Sequence, residues 1–193
     1  MTLFATCETL RIVRIRTPGF HKMRLFVPCF ILFSFAILQS SPISAQTEVL
    51  FSPDQNIQEV LLNEIESTQS TIDLAVREIT SQDLTQALLK TKGRGVIVRI
   101  ITDSKQAKMK SSRVTSLIHE GISVKVLRGK NQGVMNHRFV IFDGKKVVAG
   151  SFDWSEASEK WNYENIVIIS DSEAVACYQK EFEKLWREKR VIR

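Results

Sequence analysis

GVMNHRFVIFDGKKVVAGSFDWSEASEKWNYEN, residues 133–165, decides how this chain is read. Two apolar runs, RFVIF and VVAG, flank the dipeptide Asp143-Gly144. Asp-Gly between such runs predicts a β-hairpin, because both central positions of a tight hairpin turn need a positive φ. The run NIVIIS directly after the stretch predicts another, buried strand.

Working outward, the pattern alternates. EVLFSP is a short apolar run stopped by proline, a strand. NIQEVLLNEIEST places Ile57, Val60, Leu61 and Ile65 at helical spacing behind Asn56, a suitable cap. TIDLAVREI is a strand. SQDLTQALLKTKGRG is a helix between the cap Ser81 and the terminators Gly93 and Gly95. VIVRIITD is strongly β-branched, hence a strand. SKQAKMKSSRVTSLIHEG reads as a loop and then a helix closed by Gly121, and ISVKVLRG as a strand. SEAVACYQKEFEKLWREKR is an amphipathic helix with Val175, Tyr178, Phe182, Leu185 and Trp186 on one side. Strands alternating with helices predict the α/β class, and the hairpin adds antiparallel pairing. The expected fold is a layered mixed β-sheet flanked by helices.

With 193 residues the chain is long enough for one domain with a real core. Its net charge of +6 is concentrated at the N-terminus. Residues 1–45 hold five basic residues against the single acid Glu8, whereas 46–193 hold 22 basic and 20 acidic. A net +2 over the domain is not the footprint of a dedicated nucleic-acid binder. Met23-Arg24 precedes LFVPCFILFSFAIL, 14 residues with only Ser34 clearly polar, and then small residues up to Ala45. A basic start, an apolar middle and a small-residue end predict a secretory signal peptide over 23–45. The run falls short of the ~20 residues of a membrane span, and an uncleaved membrane anchor is the alternative. Residues 1–22 fit poorly ahead of it and read as an over-extended start, leaving 46–193 as the domain. Secretion or a periplasmic location follows. Of Cys7, Cys29 and Cys177 only the last survives cleavage, so no internal disulfide is expected. Cys177, inside a helical pattern, reads as a small packed residue. His21, His119 and His137 are scattered, and no metal or other cofactor is expected.

The order of elements over 48–128, then GVMNHRFVIFDGKKVVAGSFDWS, then the last helix, resembles the phospholipase D superfamily. The small single-motif branch is the most similar, that of the bacterial periplasmic endonuclease and the mitochondrial cardiolipin hydrolase. The family motif runs His-x-Lys, four residues, Asp, then Gly-Ser-x-Asn, then an acidic residue before Asn. Here the spacing is intact and three residue types depart. Asn136 stands at the His position, Arg138 at the Lys position and Asp153 at the Asn position, while Asp143, Gly150, Ser151 and Glu164-Asn165 match.

The resemblance implies a His that attacks phosphorus and a second His, from another motif copy, that protonates the leaving oxygen. Lys and Asn hold the phosphoryl oxygens, and Asp and Glu orient the ring. Asn136 does neither histidine job, because an amide is a poor nucleophile and does not titrate near neutrality. Arg138 retains the capacity to bind phosphate in a fork. Asp153 sets a carboxylate against an anionic substrate, and two such charges ~4 Å apart repel by about 4 kcal/mol at an effective dielectric of 20. Arg138 and Asp153 are therefore expected to pair with each other and fill the phosphate pocket. His137 sits one residue off and, by strand alternation, points to the opposite face. Asp143 and Glu164 read as orienting carboxylates left without a histidine.

Three further features remain open. Lys105, Lys108, Lys110 and Arg113 form a basic loop, either solvated or in contact with a polyanion. Trp154, Trp161 and Tyr163 serve either a packing or interface role or a stacking one. The single motif implies a homodimer with the site on its twofold axis, and a heterodimer with an intact relative is the alternative. Two function classes follow: a phosphodiesterase acting on phospholipid or nucleic acid, and a weak or inactive relative that keeps the dimeric frame for binding. The site chemistry favours the second, since no residue replaces the histidine pair.

Overall fold

The computed structural model describes residues 47–189. The signal peptide expected over 23–45 and the start at Met23 lie outside the described residues. One mixed sheet of seven strands forms the centre: β1 Thr47–Ser52, β2 Thr71–Val76, β3 Ile97–Asp103, β4 Ser123–Leu127, β5 Arg138–Phe142, β6 Lys146–Gly150 and β7 Glu164–Ile169. Their order is β1-β7-β6-β5-β2-β3-β4. β2, β3 and β4 are parallel, joined by the crossover helices α2 (Gln82–Gly93) and α3 (Val114–His119). β5 joins β2 antiparallel, and β6, β7 and β1 continue antiparallel.

Both faces of the sheet are buried by helices. On one face α1 (Ile57–Ser67) and α2 pack Ile57, Leu61, Ile65, Leu84 and Leu88 against Ile72, Leu74, Ile100 and Val140. On the other, α5 (Ser172–Arg187) packs Val175 and Phe182, with Tyr178, Leu185 and Trp186 partly buried beside them, against Ala75, Ile101, Phe139 and Ile141. Neighbouring strand residues thus serve opposite cores, as alternation requires. The cap residues foreseen at Asn56 and Ser81 accept from the amides of Glu59 and Leu84.

The hairpin closes as expected. Asp143 and Gly144 have φ of 52° and 63°, and the amide of Lys145 donates to the carbonyl of Phe142 at 2.9 Å. A short helix α4 (Glu156–Lys160), capped by Ser155, lies where no helix was foreseen. Five residues are too few for a periodic apolar pattern. Cys177 corrects an expectation: it is exposed, on the outer side of α5. No helix among the described residues is long and apolar enough to cross a membrane.

Candidate functional site

The sheet has two ends, and the motif residues separate between them. Antiparallel register sets Arg138, at the start of β5, beside Val76 at the end of β2. It places Gly150 at the end of β6 against Ile166 near the start of β7. Asn136, Arg138, Ser151, Asp153 and Glu164 therefore gather at one end. Asp143 lies at the other, which corrects its assignment to the site. There its carboxylate accepts from the amides of Gln69, Ser70 and Thr71 and from Ser70 Oγ. Burial alone would raise its pKa, but these hydrogen bonds outweigh it and bring the carboxyl down to about 2. Asp143 is a clasp between the loop after α1 and the hairpin turn. The cause is reach: five residues along a strand span roughly 16 Å.

Gly150 is there for space. A Cβ on it would lie 2.0 Å from the carbonyl oxygen of Asn165, so the strands close only over glycine. That approach aligns Ser151, whose amide donates to the same carbonyl at 3.0 Å. Ser151 Oγ donates to Glu164 and accepts from the amide of Asn165 at 3.1 Å. Glu164 also takes Asn162 Nδ2 at 3.1 Å and Ser158 Oγ at 3.4 Å. Among the described residues its carboxylate is held by neutral donors.

Arg138 and Asp153 meet as the charge argument requires, with Arg138 Nη2 2.9 Å from Asp153 Oδ2. Their side chains are 17% and 11% exposed, so the pair is nearly dry. A cavity of about 10 Å³, room for roughly one water, lies on the core side of Arg138 among Leu61, Val148, Phe152 and Trp154. Asp153 is held in place by its neighbours. Phe152 and Trp154 are both buried, the amide of Trp154 donates to the carbonyl of Glu78, and the amides of Thr80 and Ser81 donate to the carbonyl of Trp154. The pairing also has a member that sequence reasoning missed. Arg77, just past β2, brings Nη1 to 3.9 Å from the same Asp153 Oδ2. The signal was a cation at the end of a central strand, beside a new carboxylate that needed a counter-charge.

Asn136 is exposed, and its carbonyl accepts from Arg138 Nη1 at 3.4 Å. It borders an open groove of about 420 Å³ shared with His137, Arg138, Gly150 and Tyr178. His137 turns to the α5 face, as alternation demands: its ring meets Phe139 edge-on at 5.5 Å and its Nε2 lies 3.7 Å from Glu181. Trp154 is core, whereas Trp161 and Tyr163 are 76% and 92% exposed. Lys105, Lys108 and Lys110 are exposed, and Arg113 donates to Thr80 and Gln82. No group of His, Cys, Asp and Glu among the described residues is placed to hold a metal ion.

Comparison with known proteins agrees with this architecture. Residues 61–186 match the family model described as cardiolipin synthase, PLD-like domain. A mitochondrial cardiolipin hydrolase of Chlamydomonas reinhardtii is 35% identical over 125 residues, 65% of this chain and 55% of that protein. A phospholipase D of Rickettsia conorii is 31% identical over 134 residues, 69% of this chain and 66% of that one. The chain thus spans only part of the length of these curated relatives. Among solved structures, the phospholipase D family member Nuc from Salmonella typhimurium superposes with a TM-score of 0.69 at 25% identity, covering 77% of this chain and 99% of Nuc.

Proposed function

The chain belongs to the phospholipase D-like family of phosphodiesterases, and from that premise we propose that it is a dimeric binding or scaffold protein on a phosphodiesterase frame, with weak or no catalysis of its own. The observation that carries this reading is the filled pocket. Position 136 holds an amide, and the residues where a phosphoryl group would be held are 2.9 Å apart and paired with each other. The covalent route implied by the resemblance needs an imidazole at 136 both to attack and to protonate. An amide offers neither. The Asp153 carboxylate adds repulsion toward a phosphodiester anion. His137, just before β5, turns to Phe139 and Glu181 on the α5 side, away from the Arg138–Asp153 pair.

A homodimer brings two such sites together and so lacks both histidines at once. A relative with an intact motif, paired with this chain, would restore only one. The basic start and apolar run within 23–45 support a secretory route and a place outside the cytoplasm.

The test is hydrolysis of bis-(p-nitrophenyl) phosphate by the purified protein beside the Asn136→His/Arg138→Lys/Asp153→Asn variant. The wild type is expected at background and the triple variant above it. Wild-type turnover that His137→Ala abolishes would overturn the proposal and establish an enzyme with a displaced nucleophile.

A further inference from the structure

The charge of the domain is unevenly spread. Residues 46–193 hold 22 basic and 20 acidic residues. Two loops, 104–113 and 128–135, hold six of the basic ones, Lys105, Lys108, Lys110, Arg113, Arg128 and Lys130, and none of the acidic ones. The remainder, with 16 basic against 20 acidic, is net negative. The loops follow the parallel strands β3 and β4, so both emerge at one end of the sheet. The buried Asp103 carboxylate ties them together. It accepts from the amides of Lys105 and Gln106 in one loop and of Met135 in the other, at 2.9, 3.2 and 3.0 Å. Arg128 Nε adds a bond to Ser104 Oγ at 3.1 Å. The surface is thus set before any partner arrives. Arg113 turns to Thr80 and Gln82. The other five cations are exposed, and among the described residues none of the four lysines pairs with an acid. Beside them stand two exposed aliphatic side chains, Met109 at 56% and Val134 at 44%.

We propose that these two loops dock on an anionic phospholipid bilayer, with the cations over the headgroups and Met109 and Val134 reaching between them. The negative potential of such a surface attracts each lysine brought near it. An aliphatic side chain held among those lysines gains by leaving water for the boundary of the acyl chains. The net-negative remainder of the domain is repelled by the same surface, so the domain approaches loops first. Nucleic acid fits the same charge less well. Single strands are held by aromatic side chains on which bases stack, and these loops contain no Phe, Tyr or Trp. A duplex groove takes a helix or a β-ribbon, and the loops offer only the single turns Gln106–Lys108 and Lys130–Gln132. None of the docking residues occupies a motif position, so the proposal holds whether or not the site turns a substrate over.

Hydrogen exchange of the full chain, read by mass spectrometry at low salt, tests it. The probes are vesicles of phosphatidylcholine alone and vesicles in which roughly one lipid in three is phosphatidylglycerol. Exchange in 104–113 and 128–135 is expected to slow with the mixed vesicles and not with the neutral ones, and to recover as salt is added. Lys108→Gln is expected to raise the lipid concentration for half-maximal protection about fivefold. Lys105→Gln/Lys108→Gln/Lys110→Gln/Lys130→Gln is expected to abolish the protection, and Met109→Ser to weaken it at every salt concentration. Reading exchange by segment separates this contact from any made by the apolar run within 23–45. Unchanged exchange in both loops with mixed vesicles would overturn the proposal, as would equal protection by neutral ones. Protection by a single-stranded oligonucleotide that Met109→Ser leaves unaltered, at phosphate concentrations where mixed vesicles give none, would reassign the surface to nucleic acid.

Discussion

Removing Arg138 strands a buried carboxylate. Among the described residues Asp153 would keep only Arg77, 3.9 Å away, and its side chain is 11% exposed. Breaking a buried pair from one side costs about 3–5 kcal/mol, whereas replacing both partners with apolar groups is often neutral. Arg138→Met should therefore destabilise by that amount in urea unfolding, and Arg138→Met/Asp153→Leu should recover most of it. Asp143 gives an acid-side prediction. Its pKa is lowered in the folded chain from an ordinary 3.8 to about 2. The stabilisation is complete above the ordinary value and fades as pH falls toward the folded one. For this half-buried side chain, screened by solvent, it is on the order of 1 kcal/mol. Asp143→Asn should flatten the stability profile between those two pH values. At this scale the sequence was partly legible. Three departures at fixed spacing revealed the altered site, and charge alone implied the Arg138–Asp153 pair. Motif spacing does not say which end of a strand a residue occupies, so Asp143 was misplaced. Arg77 went unnoticed because its role depends on a loop 76 residues away in sequence.

Among the elements, α5 depends on one side chain beneath it. Arg99 on β3 bonds Asp73 on β2 and Glu183 on α5, all at 2.7 Å, and its guanidinium stacks over Phe182 and Trp186 at 4.9 and 5.4 Å. The hydrogen bond it donates to Asp73 is the main reason its pKa rises further, so it stays charged throughout. Asp73 is 3% exposed, and without Arg99 only Gln179 among the described residues would remain to it, at 2.8 Å. Arg99→Ala should cost about 3–5 kcal/mol. It should also raise hydrogen exchange along α5 before that of β2 and β5, which hydrogen exchange read by mass spectrometry resolves. The period of α5 was readable because its apolar residues recur over four turns. The exposure of Cys177 follows from the same geometry: two residues beyond the buried Val175 is roughly 200° around the helix. Packing had been inferred from residue type rather than from that angle.

Whole-molecule behaviour turns on copy number. One motif per chain supplies half of a two-histidine site, so the proposed homodimer gives a prediction that fold stability does not. In the Asn136→His/Arg138→Lys/Asp153→Asn variant, nucleophile and acid come from different protomers. Activity per protomer should then fall on dilution as dimers separate, while the circular dichroism of the protomer stays constant. Asn136→His alone should stay near background, because the Arg138–Asp153 pair would still occupy the pocket the phosphoryl group must enter. Groups that act as a unit are strongly non-additive, and restoring one of three gains little. A mixture of the triple variant with wild-type protomers should lose activity faster than simple dilution explains, since each mixed dimer carries one imidazole and one amide. Activity that tracked protomer concentration linearly, with no penalty from the wild type, would mean that a single chain holds a complete site and that the dimer has no part in the chemistry.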